Sequence, residues 1–317
     1  TWLVYRDPEQ GVAKASVSLA DSPVMLALGI DATTKVVAAS KALINAIPEV
    51  TPIRVPEVPD AGQTVKLKPS VDVVVGSVVT VASPDRGAFY YLVSKSGLVR
   101  ISPVLAAMVR NADSHGAVTT TTLSPDVAAA NLRPGAWPGT ATYPTEPVKI
   151  VDPVQFGTTC YHWSKKGAEP DAHTRLLVGR QLPLSTEEQQ RTVKLVTAPQ
   201  SNGTTAHYAY LPRDTGKFVQ ITGSEKGSPL RESLYWISDS GVRYGIAVES
   251  GSKGGNDPTL RALALRTPVP APWSIVSLFA VGPTLSVEDA RIQHDGIPPN
   301  LSGMPFRVDG VQQKGTS

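Results

Sequence analysis

The sequence predicts an α+β protein, an elongated assembly of small strand–turn–strand–helix repeat modules around a central antiparallel β domain. Three observations support this: a hairpin pattern that occurs three times, a proline-containing helix start after each hairpin, and a run of short apolar segments between the second and third copies. The 317 residues are enough for several small domains. The 28 prolines, well above the usual share of roughly 5%, indicate frequent turns and extended segments.

Each copy begins with a hairpin pattern in which aromatic and β-branched residues lead into a polar turn that ends in glycine. The three stretches are TWLVYRDPEQGV at 1–12, YYLVSKSGLV at 90–99 and LYWISDSGVR at 234–243. Gly11, Gly97 and Gly241 occupy equivalent places, where a tight turn favours a residue that tolerates positive φ. We therefore assign these glycines a geometric role.

A helix start follows each hairpin. The segments are SPVMLALG at 22–29, SPVLAAMV at 102–109 and DPTLRALA at 257–264. Ser22, Ser102 and Asp257 are predicted N-caps, because their side-chain oxygens can accept from free backbone N–H groups, and the proline after each one suits the first helical position. Two further Ala-rich helices are predicted at 40–50 and 124–134.

These patterns divide the chain into four segments. We expect a repeat module at 1–62, a second at 63–146, a central β domain at 147–230, and a C-terminal repeat module at 231–317 whose closing helix packs back on the central domain. The central segment is predicted from short apolar runs such as RLLVGRQL and KFVQIT, which lie between turn signals as in antiparallel sheets. The closing helix is expected to start at Ser286.

Charge and hydropathy argue against two classes of partner. The net charge of +3 is spread along the chain with no run of five like charges, so the sequence does not predict nucleic-acid binding. No stretch of 18 apolar residues indicates a membrane-spanning helix. The opening TWLVY resembles a strand and lacks an initiator methionine, so we expect a natural N-terminal part ahead of it.

No motif predicts catalytic or cofactor-binding residues. The chain lacks a phosphate-binding loop of the form G-x-x-x-x-G-K-[ST], and its one Gly-Lys pair, Gly216-Lys217, leads into a predicted strand and not a helix. His294 and Asp295, near Glu288 and Asp289, fit a solvated charged stripe better than an acid–base cluster, since a nucleophile is missing. We therefore predict no catalytic and no cofactor-binding residues.

The single cysteine allows two interpretations. Cys160 could be a buried free thiol, or it could have a disulfide partner outside this chain. Cys160, His162 and His173 do not predict a metal site, because zinc sites use four ligands in paired spacings and no second pair lies nearby. Trp163, Trp236 and Trp273 are expected to be core or interface anchors.

Several long motifs, in order along the chain, resemble a known family. EPVKIVDP, TTCYHW, ESLYWISDSGVRYGI and APWSIVSLFAVGPTLSVEDARIQHDGIP are similar to EccB, the membrane-anchored core subunit of mycobacterial type VII (ESX) secretion systems. The resemblance implies repeat modules around a central β domain, on the periplasmic face of the inner membrane, with a transmembrane anchor that this chain lacks. It also implies a disulfide between Cys160 and a cysteine nearer the N-terminus, which is absent here.

The resemblance carries functional expectations as well. It implies a scaffold that pairs with a second EccB copy and assembles with EccC, EccD, EccE and the mycosin protease. Two alternatives stay open: ATP hydrolysis, since members carry an ATPase label, and cell-wall binding, since the repeats are similar to a phage-lysin wall-binding module. ATP would be a cofactor only if that label holds, and the missing phosphate-binding loop argues against turnover.

Overall fold

Short strands and a few short helices make up the fold, which confirms the predicted α+β class. The structure is a computed structural model. It describes residues 1–31, 33–83, 87–114, 120–166, 169–195, 204–212, 217–228, 233–248 and 257–287. Within these ranges the strands form two five-stranded sheets and four two-stranded ones.

The N-terminal part contains one hairpin and two helices. Its elements are β1 (Trp2–Asp7), β2 (Gly11–Ser16), α1 (Ser22–Leu28) and α2 (Lys41–Ala46). β1 and β2 pair antiparallel, and a parallel bridge joins Lys14 of β2 to Glu49 just after α2. This hairpin is the first of the three predicted from sequence.

The next part is built around the middle sheet, whose strand order is β8-β5-β6-β7-β9. A small hairpin precedes it, and the elements in chain order are β3 (Thr64–Leu67), β4 (Val71–Val74), β5 (Val78–Ser83), β6 (Gly87–Ser94), β7 (Gly97–Ile101), α3 (Pro103–Ala112), β8 (Thr121–Leu123), α4 (Pro125–Ala130) and β9 (Leu132–Arg133). The neighbours β5, β6 and β7 are antiparallel, while β8 and β9 add in parallel at the two edges.

The predicted central β domain is represented by two separate antiparallel pairs. The elements are β10 (Thr158–Ser164), β11 (His173–Gly179), α5 (Thr186–Gln190), β12 (Val193–Lys194) and β13 (Tyr208–Ala209). β10 pairs with β11, and β12 pairs with β13. The β10–β11 hairpin contacts the first hairpin, where Val12 N–H donates to Thr174 Oγ1 at 2.8 Å.

The C-terminal sheet has the strand order β17-β14-β15-β16-β18, and its pairing directions match those of the middle sheet. Its elements are β14 (Lys217–Thr222), β15 (Leu234–Ile237), β16 (Val242–Ile246), α6 (Pro258–Ala262), β17 (Val269–Pro272), α7 (Trp273–Val276) and β18 (Ala280–Val281). β14 corrects the sequence analysis, which assigned it to a central domain ending at 230. It pairs with β15 and β17, beyond that boundary.

Each five-stranded sheet is covered by a helix on both faces. In the middle sheet, Leu92 and Val99 pack with α3, whereas Val93 and Leu98 pack with α4. In the C-terminal sheet, the face of Trp236 packs with α6 and the face of Ile237 packs with α7. Alternate residues of a strand point to opposite faces, which lets one hairpin serve two cores.

The N-terminal part and the middle sheet share one hydrophobic core. α1 packs against α3 in a core that includes Leu28 of α1 and Met108 of α3, both fully buried. Residues of β1 and β2 complete this core from one side, and residues of β6 and β7 complete it from the other. The first two sequence modules are therefore one packing unit in the structure.

The predicted turn and cap residues lie at element ends, with one correction. Gly11, Gly97 and Gly241 have φ of 86°, 130° and 77°. Ser102 accepts from Leu105 N–H at 3.1 Å, and Asp257 accepts from Thr259 and Leu260 N–H at 2.9 and 3.1 Å. Ser22 is not the cap of α1. Asp21 accepts from Val24 N–H at 3.4 Å and holds that position, so Ser22 is the first helical residue.

Candidate interaction surfaces

The side chains considered as metal ligands lie on the β10–β11 hairpin. Cys160 and His162 belong to β10, and His173 opens β11 opposite Ser164. The Glu169 carboxylate lies 3.5 Å from His173 Nε2. In the described ranges, no group of three or more His, Cys, Asp or Glu side chains is placed to hold a metal ion. Cys160 is a half-buried free thiol.

Of the residues considered for catalysis, Lys217 is described by the structure and the others are not. Lys217 opens β14, where its backbone pairs with Ile237 and its side chain is exposed. Gly216 and the acidic and histidine residues at 288–295 lie outside the described residues, as does most of the predicted closing helix. Nothing in the described part gathers Lys217 into a phosphate-binding loop.

Two buried polar groups of the β10–β11 hairpin have no partner among the residues that the structure describes. Tyr161 Oη and Trp163 Nε1 make no hydrogen bond within the described structure. Burial raises the pKa of Tyr161 to about 12, and the nearby Glu225 charge adds to the increase. A buried donor left unpaired costs about 1–3 kcal/mol, so this part of the hairpin is a candidate for contact with a further element.

A cluster of aromatic and arginine side chains lies on the α7 face of the C-terminal sheet. The Arg243 guanidinium carbon is 4.6 Å from the centre of the Trp273 ring, and the Tyr235 ring centre is 5.7 Å from the same ring. Trp273, at the start of α7, keeps 44% of its surface exposed. Trp, Tyr and Arg are the residues most enriched in the energetic centres of protein interfaces, so this cluster has the composition of a docking site.

Arg243 is held in this cluster by stacking more than by hydrogen bonds. Its Nε and Nη1 are buried and have no partner in the described part of the chain. Burial lowers the pKa of Arg243, because a guanidinium loses hydration there. The cluster adjoins the N-terminal part, since Ser274 Oγ donates to the Ala46 carbonyl of α2 at 3.3 Å. Cation–π contact with Trp273 partly offsets the lost hydration.

A second candidate surface is an open groove of about 510 Å³ between two proline-rich segments, 51–59 and 133–143. Trp137, Tyr143 and Val99 line it, and Arg54 and Arg133 contribute positive charge. Tyr143 Oη accepts from Arg54 N–H at 3.1 Å and lies 3.0 Å from the carbonyl oxygens of Pro52 and Arg54. Glu57 is the one carboxylate among the residues that line the groove, and neither histidine nor cysteine lines it, so its chemistry is that of a binding surface.

Sequence reasoning found the first surface in part and missed the second. Trp273 was assigned as a core or interface anchor, but nothing in the sequence joined it to Arg243, which lies 30 positions earlier. The groove depends on two segments about 80 residues apart. The signal available in the sequence was the proline spacing of TPIRVPEVP and NLRPGAWPG, which indicates extended chain but not its partner.

The comparisons with known proteins identify the family. The family model described as type VII secretion system ESX-1, transport TM domain B, matches residues 1–299. The ESX-3 secretion system ATPase EccB3 of Mycolicibacterium smegmatis is 40% identical over 292 residues, which cover 90% of this chain and 54% of that protein. EccB3 of Mycobacterium tuberculosis is 39% identical over 98% of this chain and 57% of its own length. The chain therefore belongs to the EccB family.

Solved structures show the same relationship in three dimensions. The structure of the EccB3 dimer from the ESX-3 core complex gives a TM-score of 0.73 at 32% identity, over 91% of this chain and 69% of that chain. The periplasmic assembly from the ESX-5 inner membrane complex gives 0.70 at 30% identity, over 91% and 68%. The chain spans about half the length of the curated relatives it matches. Within the described ranges, no helix is long and apolar enough to cross a bilayer.

Proposed function

We propose that this chain is a scaffold part of a type VII (ESX) secretion complex, on the periplasmic face of the inner membrane, where it pairs with a second copy of the same protein. The observation that carries the proposal is the fold likeness to the EccB3 dimer over 91% of the chain. The likeness to the periplasmic assembly of an ESX-5 inner membrane complex supports the same location.

The composition of the surface supports an assembly role over a catalytic one. The two described surfaces with binding character are a Trp–Arg–Tyr cluster around Trp273 and an open aromatic groove around Trp137. Neither contains the paired acid and base that define a catalytic centre. Both lie where sequence-distant segments meet, which suits contacts that organise several chains.

Finer features of the proposal come from the family resemblance. We propose EccC, EccD, EccE and the mycosin protease as neighbours in the complex, and a transmembrane anchor outside residues 1–317 as the attachment to the membrane. The multi-subunit character of the ESX-5 inner membrane complex, whose intact structure aligns with this chain at a TM-score of 0.71, supports these neighbours.

The pairing is tested with the full-length protein carrying two different tags in cells that hold the secretion locus. We expect one tagged copy to recover the other from detergent-extracted membranes. Trp273→Ala should lower that recovery about tenfold or more, because truncating an aromatic at an interface centre costs about 2 kcal/mol or more. The measurement is the ratio of the two tags after affinity purification.

The matched control is Tyr208→Ala, which removes an aromatic with 59% exposure on β13 that is not a member of the Trp273, Arg243 and Tyr235 cluster. Both variants must show the wild-type thermal unfolding midpoint. Equal recovery for Trp273→Ala and Tyr208→Ala would exclude the cluster from pairing. If the wild type recovers neither a second copy nor the other complex subunits, the scaffold proposal itself is wrong.

The relatives carry the word ATPase in their names, so ATP hydrolysis by this chain is a second property to measure. We expect the purified chain with Mg²⁺ and ATP to release phosphate only at the rate of a protein-free blank, because Lys217 lies on a strand and not in a loop before a helix N-terminus. Lys217→Ala should leave the rate unchanged. Release that rises with chain concentration and disappears in Lys217→Ala would favour an enzyme.

A further inference from the structure

In the described N-terminal part, one edge of β1 has no sheet partner, and an unpaired segment leads into α2. Among the described residues, β1 pairs only with β2, so the backbone groups on its other edge are outside any sheet. Residues 36–39, directly ahead of α2, belong to no helix, strand or bridge. Val36 and Val37 in that segment are 60% and 59% exposed. Unpaired edges and exposed apolar side chains of this kind form a template for a further strand.

The other two sheets show what occupies the equivalent place. In the middle sheet, β5 lies between β6 and β8, antiparallel to the first and parallel to the second. In the C-terminal sheet, β14 lies in the same way between β15 and β17. In both cases this inserted strand is the one that comes immediately before the hairpin in the chain.

The correspondence holds at the level of single residues. β8 ends at Leu123, directly before the N-cap Ser124 of α4, and residues 36–39 end directly before the N-cap Ser40 of α2. The parallel bridge from Lys14 to Glu49 is the counterpart of two parallel edge pairings in the other sheets, β7 with β9 and β16 with β18. Among the described residues, the N-terminal part therefore repeats the order of the other two sheets without a strand in the place that β5 and β14 take there.

The effect of filling that position is visible in the middle sheet. There, pairing with β5 accompanies burial of Leu123 to 5% exposure, and β5 itself buries Val79 and Val81 to 1% and 5%. In the N-terminal part Ala39 stands in the place of Leu123, directly before the N-cap, and it is exposed, as are Val36 and Val37 ahead of it. One added strand would satisfy the backbone groups on the free edge of β1 and those of residues 36–39 at the same time.

We propose that an extended strand inserts between β1 and residues 36–39, antiparallel to β1 and parallel to 36–39, and that this strand is the polypeptide segment that leads into β1 in the full-length protein. Two observations select this occupant over a partner chain. In both complete sheets the inserted strand precedes the hairpin on the same chain. The relatives, of which this chain spans 54–57%, have the additional polypeptide length to provide it.

The proposal is tested by adding the chain's own strand. Residues 77–87, which contain β5, are fused directly ahead of Thr1. With this length, β5 can pair with β1 in the same register in which it pairs with β6. Hydrogen exchange measured by mass spectrometry should show slowing of about tenfold or more at residues 36–39, since a paired strand amide exchanges only after local opening. The urea midpoint should rise.

The control fusion carries Val79→Pro and Val81→Pro, which remove ladder donors. It should leave the exchange at 36–39 as in the unmodified chain. A folded wild-type fusion with unchanged exchange at 36–39 would overturn the insertion. Sedimentation distinguishes the source. A fusion with slowed exchange and the same oligomeric state as the unmodified chain supports insertion within one chain, whereas a fusion that associates further than the unmodified chain contradicts it.

The natural occupant is tested by the same exchange measurement on the full-length protein, purified alone and in its complex. Slow exchange at 36–39 in the protein alone supports a strand from its own chain. Slow exchange that appears only in the complex would assign the place to a partner and overturn our choice of occupant. Neither result depends on the scaffold proposal, since pairing between copies is measured separately.

Discussion

Gly97→Ala is expected to destabilise the fold by about 2–4 kcal/mol, because two penalties act at one position. Gly97 has a φ of 130°, which residues with a side chain rarely adopt. An added Cβ would lie 2.4 Å from the carbonyl oxygen of Asn131. That carbonyl accepts from Leu98 N–H at 2.9 Å, and the Asn131 side chain binds both backbone groups of Lys68. Displacing Asn131 would therefore loosen three segments at once.

The matched control is Gly139→Ala. Gly139 also has positive φ, at 74°, but nothing lies within 4 Å of the place an added Cβ would take. It should cost only the backbone strain, about 1–2 kcal/mol. The measurement is the free energy of unfolding from urea titration of both variants. If the two variants lose the same stability, the close approach to Asn131 contributes nothing and our account of this turn is wrong.

Leu28→Ala should cost about 2–5 kcal/mol and should weaken the N-terminal part and the middle sheet together. Leu28 on α1 is fully buried in the core that it shares with Met108 on α3, so a cavity there removes contacts from both parts. The C-terminal sheet has separate cores and should keep its stability. Hydrogen exchange followed segment by segment in increasing urea measures both effects in one sample.

Ile221→Ala is the reciprocal variant, because Ile221 on β14 is 3% exposed in the core of the C-terminal sheet. It should lower the stability of that sheet by a similar amount and leave α1 and α3 unaffected. Equal weakening of all parts by either variant would show that the described chain unfolds as one cooperative unit. The predicted boundary between the modules at 1–62 and 63–146 would have no energetic meaning in either case, since the two share a core.

Much of the local structure could be predicted from the sequence. The three turn glycines and the caps Ser102 and Asp257 depend on a few neighbouring residues, so short patterns are enough to find them. The error at Ser22 has the same origin. Asp21 and Ser22 are both good N-caps next to Pro23, and the choice between them depends on how the preceding chain leaves β2, which a local pattern does not contain.

The strands that flank each hairpin were harder to predict. β5, β8 and β17 are short. β14 is separated in sequence from β15 and β17, so its apolar pattern was assigned to the preceding β segment. A strand of three to six residues has an apolar pattern that several sheets would accept. Its partner is chosen by long-range packing, which is why the predicted boundary at 230 separated β14 from its sheet.

The sequence by itself determined the α+β class, the position of the turns and helix starts, and membership of the EccB family, because these depend on local backbone preferences and on long ordered motifs. Only the tertiary structure decided which strands pair, that α6 and α7 cover opposite faces of one sheet, and that Arg243 stacks on Trp273. These features depend on contacts between residues tens of positions apart, whose free energies no local pattern reports.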